Sequence, residues 1–485
     1  MGNKYDVTIG LEIHIESKTK TKMFCSCLND ANEKTPNINI CPVCMAHPGT
    51  LPLINEKAID NIIKFGLALN CEIARKTRFD RKSYFYPDLP KGYQISQLDY
   101  PICTNGNLKG ISINRIHQEE DAGKLIHKEN ESLIDFNRAG VPLIELVTEP
   151  DFKTSRQVID FVKELQLIAR YLNISDANME KGEMRIEVNL SLKKKEDQKL
   201  GTKVEIKNLN SFRTVEKAIL YEIKRQSNLL DNGEQVIQET RGFDEQKQKT
   251  VSQREKGESH EYKYFPDPDL PCLNIKEERI NRLRNEIPEL PENKRIRFKK
   301  EYGIQDKKIL EIFIENKSFA SYFEKVASEL LDWMESIKID RKHYFDLIKL
   351  TCNYLTSDLI GLAKGKITDF SSKIDPENFA EFITIVFKGD INSKIAKTVL
   401  KEMYVHGSDP SHVIDDKGLK QIKSMDQIQN IIQEVLNSNA NAISDYKKGK
   451  TASLQFLIGQ VMAKSKGRIN PDHAKEALEK ELENN

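Results

Sequence analysis

The chain opens on strict alternation. In YDVTIGLEIHIE, Val7, Ile9, Leu11, Ile13 and Ile15 fall on one side of an extended strand, with Asp6, Thr8, Gly10, Glu12, His14 and Glu16 on the other, because successive strand side chains point to opposite faces. Such a strand packs a core with one face and presents Glu12 and His14 with the other. The pattern returns in MRIEVNL, where Met184, Ile186, Val188 and Leu190 alternate with Arg185, Glu187 and Asn189. It returns again in TKVEIKNLN, where Val204 and Ile206 oppose Lys203, Glu205 and Lys207. Three strands thus offer acids, amides and bases to one polar face of an antiparallel sheet. For any one strand taken singly, a solvated face or a cross-strand ion pair explains the pattern as well.

Helical spacing marks other segments. Ile54, Ile59, Ile62, Ile63 and Leu67 recur at helical intervals, as do Val158, Phe161, Val162, Leu165, Ile168 and Leu172, which predicts two helices packed on a sheet by one face. From about residue 295 onward the chain reads almost wholly helical, and GSDPSHVIDDKG at 407–418 reads as a connection between helices. The pattern predicts an α+β fold in three parts: a sheet-containing domain over 1–292, a helical domain over 293–407 and a small helical tail over 408–485. YFYPDLP at 84–90 and YFPDPDLP at 264–271 echo each other and read as two similar turns, since no repeat period links them.

Composition narrows the class. The 485 residues carry 75 Lys and Arg against 74 Asp and Glu, a formal net charge of +1, and no run approaches the roughly 18 apolar residues of a membrane helix. The N-terminal stretch has acids inside its apolar positions, unlike a signal peptide, so a cytoplasmic protein with no membrane partner is expected. A charge near zero excludes indiscriminate coating of nucleic acid and leaves a local basic patch open.

Of eight cysteines, four gather as Cys25-x-Cys27 and Cys41-x-x-Cys44. Two such pairs can close a tetrahedral site for structural zinc that ties down the loop from 24 to 47; unligated thiols and redox chemistry at CPVC are the alternatives, and a cytosolic chain disfavours disulfides. In IHQEEDAGK, His117, Glu119, Glu120 and Asp121 crowd four ionisable groups together. Like charges at that density need water or a cation, and carboxylates suit Mg²⁺.

Longer phrases carry a resemblance: GLEIH, CPVCMAHPG, FDRKSYFYPDLPKGYQISQ, HQEEDAGK, DFNRAGVPLIELVTEPD, EVNLS, EIKNLNSF, QETRGFD, YFPDPDLP and, near the C-terminus, GKTASLQFLIGQVMAKSKGRINPDHA. Together they closely resemble the B-subunit family of aspartyl/glutamyl-tRNA amidotransferases over essentially the entire chain. The resemblance implies a catalytic cradle related in fold to glutamine synthetase, followed by helical domains. It implies an ATP-dependent ligase that activates the side-chain carboxylate of misacylated Glu-tRNA(Gln) or Asp-tRNA(Asn). Ammonia would be supplied by the amidase (A) subunit of a heterotrimer that a small (C) subunit completes. No amidase or glutaminase arrangement is recognisable in this chain, so a free-standing ligase is the poorer expectation. A non-catalytic zinc-containing tRNA-binding scaffold is the alternative.

Carried onto matching positions, the resemblance implies Glu12, His14 and Glu120 as principal Mg²⁺ ligands, with Glu119, Glu187 and Glu205 completing the acidic site. Arg185 and Lys207 are the expected cationic contacts to phosphate or carboxylate. Asn208, Asn210 and Ser211 are expected to orient ATP or substrate, or to line the ammonia route, and Tyr84, Tyr86, Tyr93 and Gln94 to shape the carboxylate pocket. The tail is expected to meet the tRNA elbow through Lys447, Lys448, Lys450, Lys464, Lys466 and Arg468. Some family members lack the four cysteines, so zinc is not a requirement of the reaction.

Overall fold

The computed structural model describes residues 4–255, 262–422, 424–465 and 467–484. They form two compact units divided at Pro291 and Glu292, the first mixed α and β and the second helical.

A nine-stranded sheet organises the first unit. Its strands are β1 (Tyr5–Glu16), β2 (Glu72–Ile73), β3 (Cys103–Leu108), β4 (Ile111–Glu120), β5 (Pro142–Thr148), β6 (Met184–Lys194), β7 (Val204–Leu209), β8 (Glu239–Asp244) and β9 (Lys249–Glu255). They lie in the order β9-β8-β7-β6-β1-β5-β4-β3-β2. Every pairing is antiparallel except β7 with β8. That parallel pair is joined through the helix Phe212–Asp231, the kind of crossover that parallel neighbours require.

The alternation sorts the faces as the sequence predicts. Ile9, Leu11, Ile13 and Ile15 of β1, Met184, Ile186, Val188 and Leu190 of β6, and Ile206 of β7 are buried in one apolar cluster. Onto it pack α1 (Glu56–Ala68), α2 (Ser155–Tyr171) and α3 (Phe212–Asp231), through Ile59, Ile62 and Ile63, through Val158, Phe161, Val162 and Leu165, and through Val215, Ala218 and Ile219. At about 25 cal/mol per Å², each fully buried Ile or Leu contributes roughly 1.5–3 kcal/mol. The helix starts are set locally. Asn55 accepts from the amides of Lys57 and Ala58, Thr154 and Gln157 form a reciprocal capping box, and Ser211 accepts from the Thr214 amide.

A three-stranded sheet, Lys263–Pro266, Asp80–Ser83 and Tyr93–Ser96, lies beside the main one. Each echoed phrase adjoins this sheet: Tyr264 of the second pairs with Lys82 across the strands, and Tyr84, which opens the first, sits edge-on to Tyr262 with ring centroids 5.3 Å apart.

In the second unit, Phe298, Phe313, Phe319 and Phe323 form a chain of ring contacts, and a separate cluster of Ile428, Ile432, Val435, Leu457, Val461 and Leu478 binds the last four helices. One sequence expectation needs correction. The segment 407–418 is not merely a connection: Pro410–Asp416 is a helix, capped by Asp409 with Pro410 in its first turn, and it buries Val413 and Ile414. Proline pre-sets the first helical φ and costs no hydrogen bond there, so the same Asp-Pro pair that signals a turn also starts a helix.

Candidate active site

The polar face of the main sheet carries a row of side chains set by register. His14 on β1 lies opposite Arg185 on β6 and Glu145 on β5, and Glu145 lies opposite His117 on β4. Further along the same face, Glu12 stands opposite Glu187. Glu145 Oε2 is 3.3 Å from both His14 Nε2 and His117 Nε2, and His14 Nε2 stands 3.6 Å from Glu119 Oε1 and 3.8 Å from Glu12 Oε1.

Among the described residues, three groups of acid and imidazole side chains on this face have ligand atoms within 4.8 Å of one another: Glu12, His14 and Glu145; His117, Glu119 and Glu145; Glu12, Glu187 and Glu205. Glu12 and Glu145 are each shared by two groups. Each group brings carboxylate oxygens, the donor type that Mg²⁺ takes at about 2.0–2.1 Å, and two of the three add an imidazole nitrogen.

The electrostatics match a site built around positive charge. Burial, then the charges of Glu145 and Glu187, push Glu12 up to about 7. Burial favours the neutral acid at Glu145 too, yet the two imidazoles hold it well below the usual carboxylate range. Burial opposes a charged ring at His117, but Glu145 and Glu119 outweigh it and carry that ring up to about 9. One pair of acids is thus split into a ready anion and a proton holder by environment alone.

Other expected residues find definite places. Lys207 Nζ is 2.9 Å from Glu187 and 3.7 Å from Glu205, and Arg185 Nη2 is 2.5 Å from Asp121. Arg185 Nε is buried without a hydrogen-bond partner. At β7 the register slips: Val188 pairs with Ile206 while Ile186 pairs with Leu209, so Lys207 and Asn208 together oppose Glu187. Asn208 takes φ 60°, a left-handed conformation that Asn tolerates, and this bulge aims Lys207 at Glu187.

Glu120 does not join the acidic groups. Period two puts it on the opposite face from His117 and Glu119, where Lys91 Nζ lies 2.6 Å from Oε1 and the Ile95 amide donates to the same oxygen at 3.0 Å. With Lys91, Cys25, Cys44 and His47 it lines a cavity of about 180 Å³. Glu145, the lone acid in the apolar run PLIELVT, stands in two of the acidic groups where Glu120 does not; that isolation is its sequence signal. Lys82 also escapes a reading by sequence. It is half-buried on Asp80–Ser83, and against the cost of that burial the charges of Glu119, Tyr264 and Glu145 hold its ammonium protonated.

Ser211 is an N-cap, and Asn208 and Asn210 are exposed beside it. Of the expected pocket residues, Gln94 donates to the Glu120 carbonyl at 2.6 Å, Tyr93 lies under Arg81, Tyr84 adjoins Tyr262 and Tyr86 is exposed.

The four cysteines of the 24–47 loop converge, with their Sγ atoms within 4.8 Å of one another. A tetrahedral zinc with bonds of about 2.3 Å needs sulfurs about 3.8 Å apart, so the donor set fits. The Cys41 amide donates to Cys44 Sγ at 3.2 Å, and the thiol of Cys25 hydrogen-bonds Cys44 and draws it down to about 5. The loop is clasped by paired asparagines: Asn37 Oδ1 accepts from the Phe136 amide at 2.7 Å, and Asn137 Nδ2 donates to the Thr35 carbonyl at 2.8 Å.

The family model described as the GatB/GatE catalytic domain matches residues 7–281, and that described as the GatB domain matches 339–482. The chain is 43% identical over 488 residues to the B subunit of the aspartyl/glutamyl-tRNA(Asn/Gln) amidotransferase of Persephonella marina, covering 99% of this chain and 100% of that protein. It is 44% identical over 496 residues to the corresponding B subunit of Caldicellulosiruptor saccharolyticus, with 99% of each covered.

The chain belongs to the amidotransferase B-subunit family.

In this family member the tail is less basic than the lysine-rich phrases suggest. Lys450 is 3.0 Å from Asp445, Lys464 is 2.6 Å from Glu434, and Arg468 donates to the carbonyls of Ser465 and Gly418. Lys447 and Lys448 are exposed at the end of the helix Ala440–Lys447, and Lys466 lies outside the described residues. Among the described residues, no helix is long and apolar enough to cross a membrane.

Proposed function

We infer that the chain is the carboxylate-activating component of a glutamine-dependent aspartyl/glutamyl-tRNA amidotransferase. The observation that carries this is the match along 99% of the chain to B subunits of that enzyme, joined to an acid and imidazole constellation on one sheet face.

A carboxylate accepts ammonia poorly because oxide is a poor leaving group. In the proposed reaction, a side-chain carboxylate oxygen of Glu-tRNA(Gln) or Asp-tRNA(Asn) attacks the γ-phosphorus of ATP, ADP departs, and an acyl phosphate forms. Ammonia then attacks the acyl carbon, phosphate leaves with the bonding pair, and the nitrogen loses a proton to give the amide. Phosphoryl transfer depends chiefly on positioning and on countering charge at the phosphoryl oxygens. Arg185 and Lys207 supply donors toward those oxygens, Arg as a planar fork and Lys as a point charge. Glu12, His14 and Glu145, with Glu119, Glu187 and Glu205 around them, would hold Mg²⁺, which when bound neutralises phosphate charge.

The four cysteines would hold a structural zinc; with every position taken by sulfur, its work is to order the loop. The sheet unit would be the cradle related in fold to glutamine synthetase, residues 293–407 a helical connector, and 408–485 the part that meets the tRNA. Ammonia would come from an amidase partner in a complex with a small third protein, in the cytoplasm, where tRNA is charged. In a reconstituted assay with both partners, ATP, glutamine and misacylated tRNA, the protein should form ADP and amidated aminoacyl-tRNA in step; ADP formation without amidated product would refute this assignment.

A further inference from the structure

Two of the site carboxylates are gripped from outside the strands that carry them. Ser96, 1% exposed at the end of Tyr93–Ser96, donates Oγ to Glu119 Oε2 at 3.0 Å. Thr240 on β8, paired with Glu205 in the parallel register, donates Oγ1 to Glu205 Oε2 at 2.7 Å. In each case the second oxygen faces the site: Glu119 Oε1 is 3.6 Å from His14 Nε2, and Glu205 Oε1 is 3.7 Å from Lys207 Nζ.

We propose that Ser96 and Thr240 are positioning residues of the cation site, each fixing one oxygen of a carboxylate so that the other is presented to the cation. The last torsion of a glutamate is broad and two-fold, and carboxylates crowded together swing apart toward water unless something restrains them. A hydroxyl donor restrains the group with a charge-assisted hydrogen bond and itself removes none of its negative charge; the ammonium of Lys207 stands near both Glu187 and Glu205. The two hydroxyls come from different sheets and reach opposite flanks of the row, so the row is held from both sides.

This inference rests on the reading that the acidic face binds a divalent cation. Its test is Mn²⁺ binding to the full chain, followed by titration calorimetry and by the spin-resonance signal of free Mn²⁺, for the wild type and for Thr240→Val, Thr240→Ser and Ser96→Ala. Outer hydroxyl partners of ligating groups typically contribute 10–100-fold in metal affinity. Thr240→Val and Ser96→Ala should therefore each weaken Mn²⁺ about tenfold, while Thr240→Ser, which keeps the hydroxyl, stays near wild type. In the amidation assay both losses should appear as a higher Mg²⁺ requirement with kcat restored at saturating Mg²⁺. Wild-type Mn²⁺ affinity in a folded Thr240→Val variant would overturn the proposal, and so would equal losses in Thr240→Ser and Thr240→Val, which would mark a packing effect. A wild-type chain that binds no Mn²⁺ would instead overturn the cation site itself.

Discussion

At Glu12 the crowding of carboxylates is felt as a proton retained up to about pH 7, through burial first and then Glu145 and Glu187. A cation entering the group must displace that proton. Below pH 7 the two compete, so Mn²⁺ affinity of the full chain should rise between pH 6 and pH 8, approaching tenfold per unit on the acid side. Glu12→Gln should bind weakly at either pH, and a flat wild-type profile would show that Glu12 is not a ligand. Individual residues are legible to the extent that period two applies. Glu12, His14, Arg185, Glu187, Glu205 and Lys207 share the polar face as their alternation requires. Charge density in HQEEDAGK misplaces Glu120, because it outweighs the same rule, which separates that residue from Glu119. Glu145 escapes notice because what makes it a site residue is its register against His14 and His117, more than 130 and nearly 30 positions away along the chain.

Among the elements, the turn from β7 into α3 shows where local chemistry competes with a functional assignment. The resemblance implies that Ser211 touches ATP or substrate, but its side chain caps α3 by accepting from the Thr214 amide at 3.1 Å. Ser211→Ala should cost about 1 kcal/mol of stability in denaturant titration with the KM for ATP unchanged; a raised KM at unchanged stability would restore the functional role. The neighbouring bulge has no sequence signal beyond an Asn in a strand. Its left-handed Asn208 predicts that Asn208→Gly is tolerated and Asn208→Val loses about 1–2 kcal/mol, with misdirection of Lys207 visible as lower kcat.

The cysteine loop is legible from spacing alone, since Cys-x-Cys and Cys-x-x-Cys leave few ways to converge. Its anchoring by Asn37 and Asn137 is not, because those contacts join residues about 100 apart. The full chain should carry one zinc. Burial lifts Cys27 to about 11, so zinc binding must expel protons. Removal by chelator should expose 24–47 to protease while the sheet stays intact; a chelated loop as resistant as before would argue against a metal tie.

Across the whole molecule, the nearly even balance of 75 cations and 74 anions conceals an uneven distribution. Acids concentrate on one sheet face, but the tail offers no matching surplus: residues 408–485 contain eleven Lys and Arg and eleven Asp and Glu. Lys464 is already committed to Glu434, and Lys448 is exposed at the helix end. If the tail meets tRNA phosphates, Lys448→Glu should weaken binding several-fold and reduce its salt dependence by about one counterion, more than Lys464→Glu does.

The α+β class and the helical second unit are legible from the change of period along the chain, while the order of nine strands is not, since β1 lies between β5 and β6 by long-range pairing alone. The central claim is that this face activates a tRNA-borne carboxylate, and the most direct measurement follows ADP and amidated aminoacyl-tRNA together in the reconstituted complex, for wild type and Glu12→Gln. The account predicts equal yields of both products from the wild type, and at least a hundredfold slower formation of both by Glu12→Gln with tRNA affinity unchanged. Amidated product formed at the wild-type rate by Glu12→Gln would contradict it.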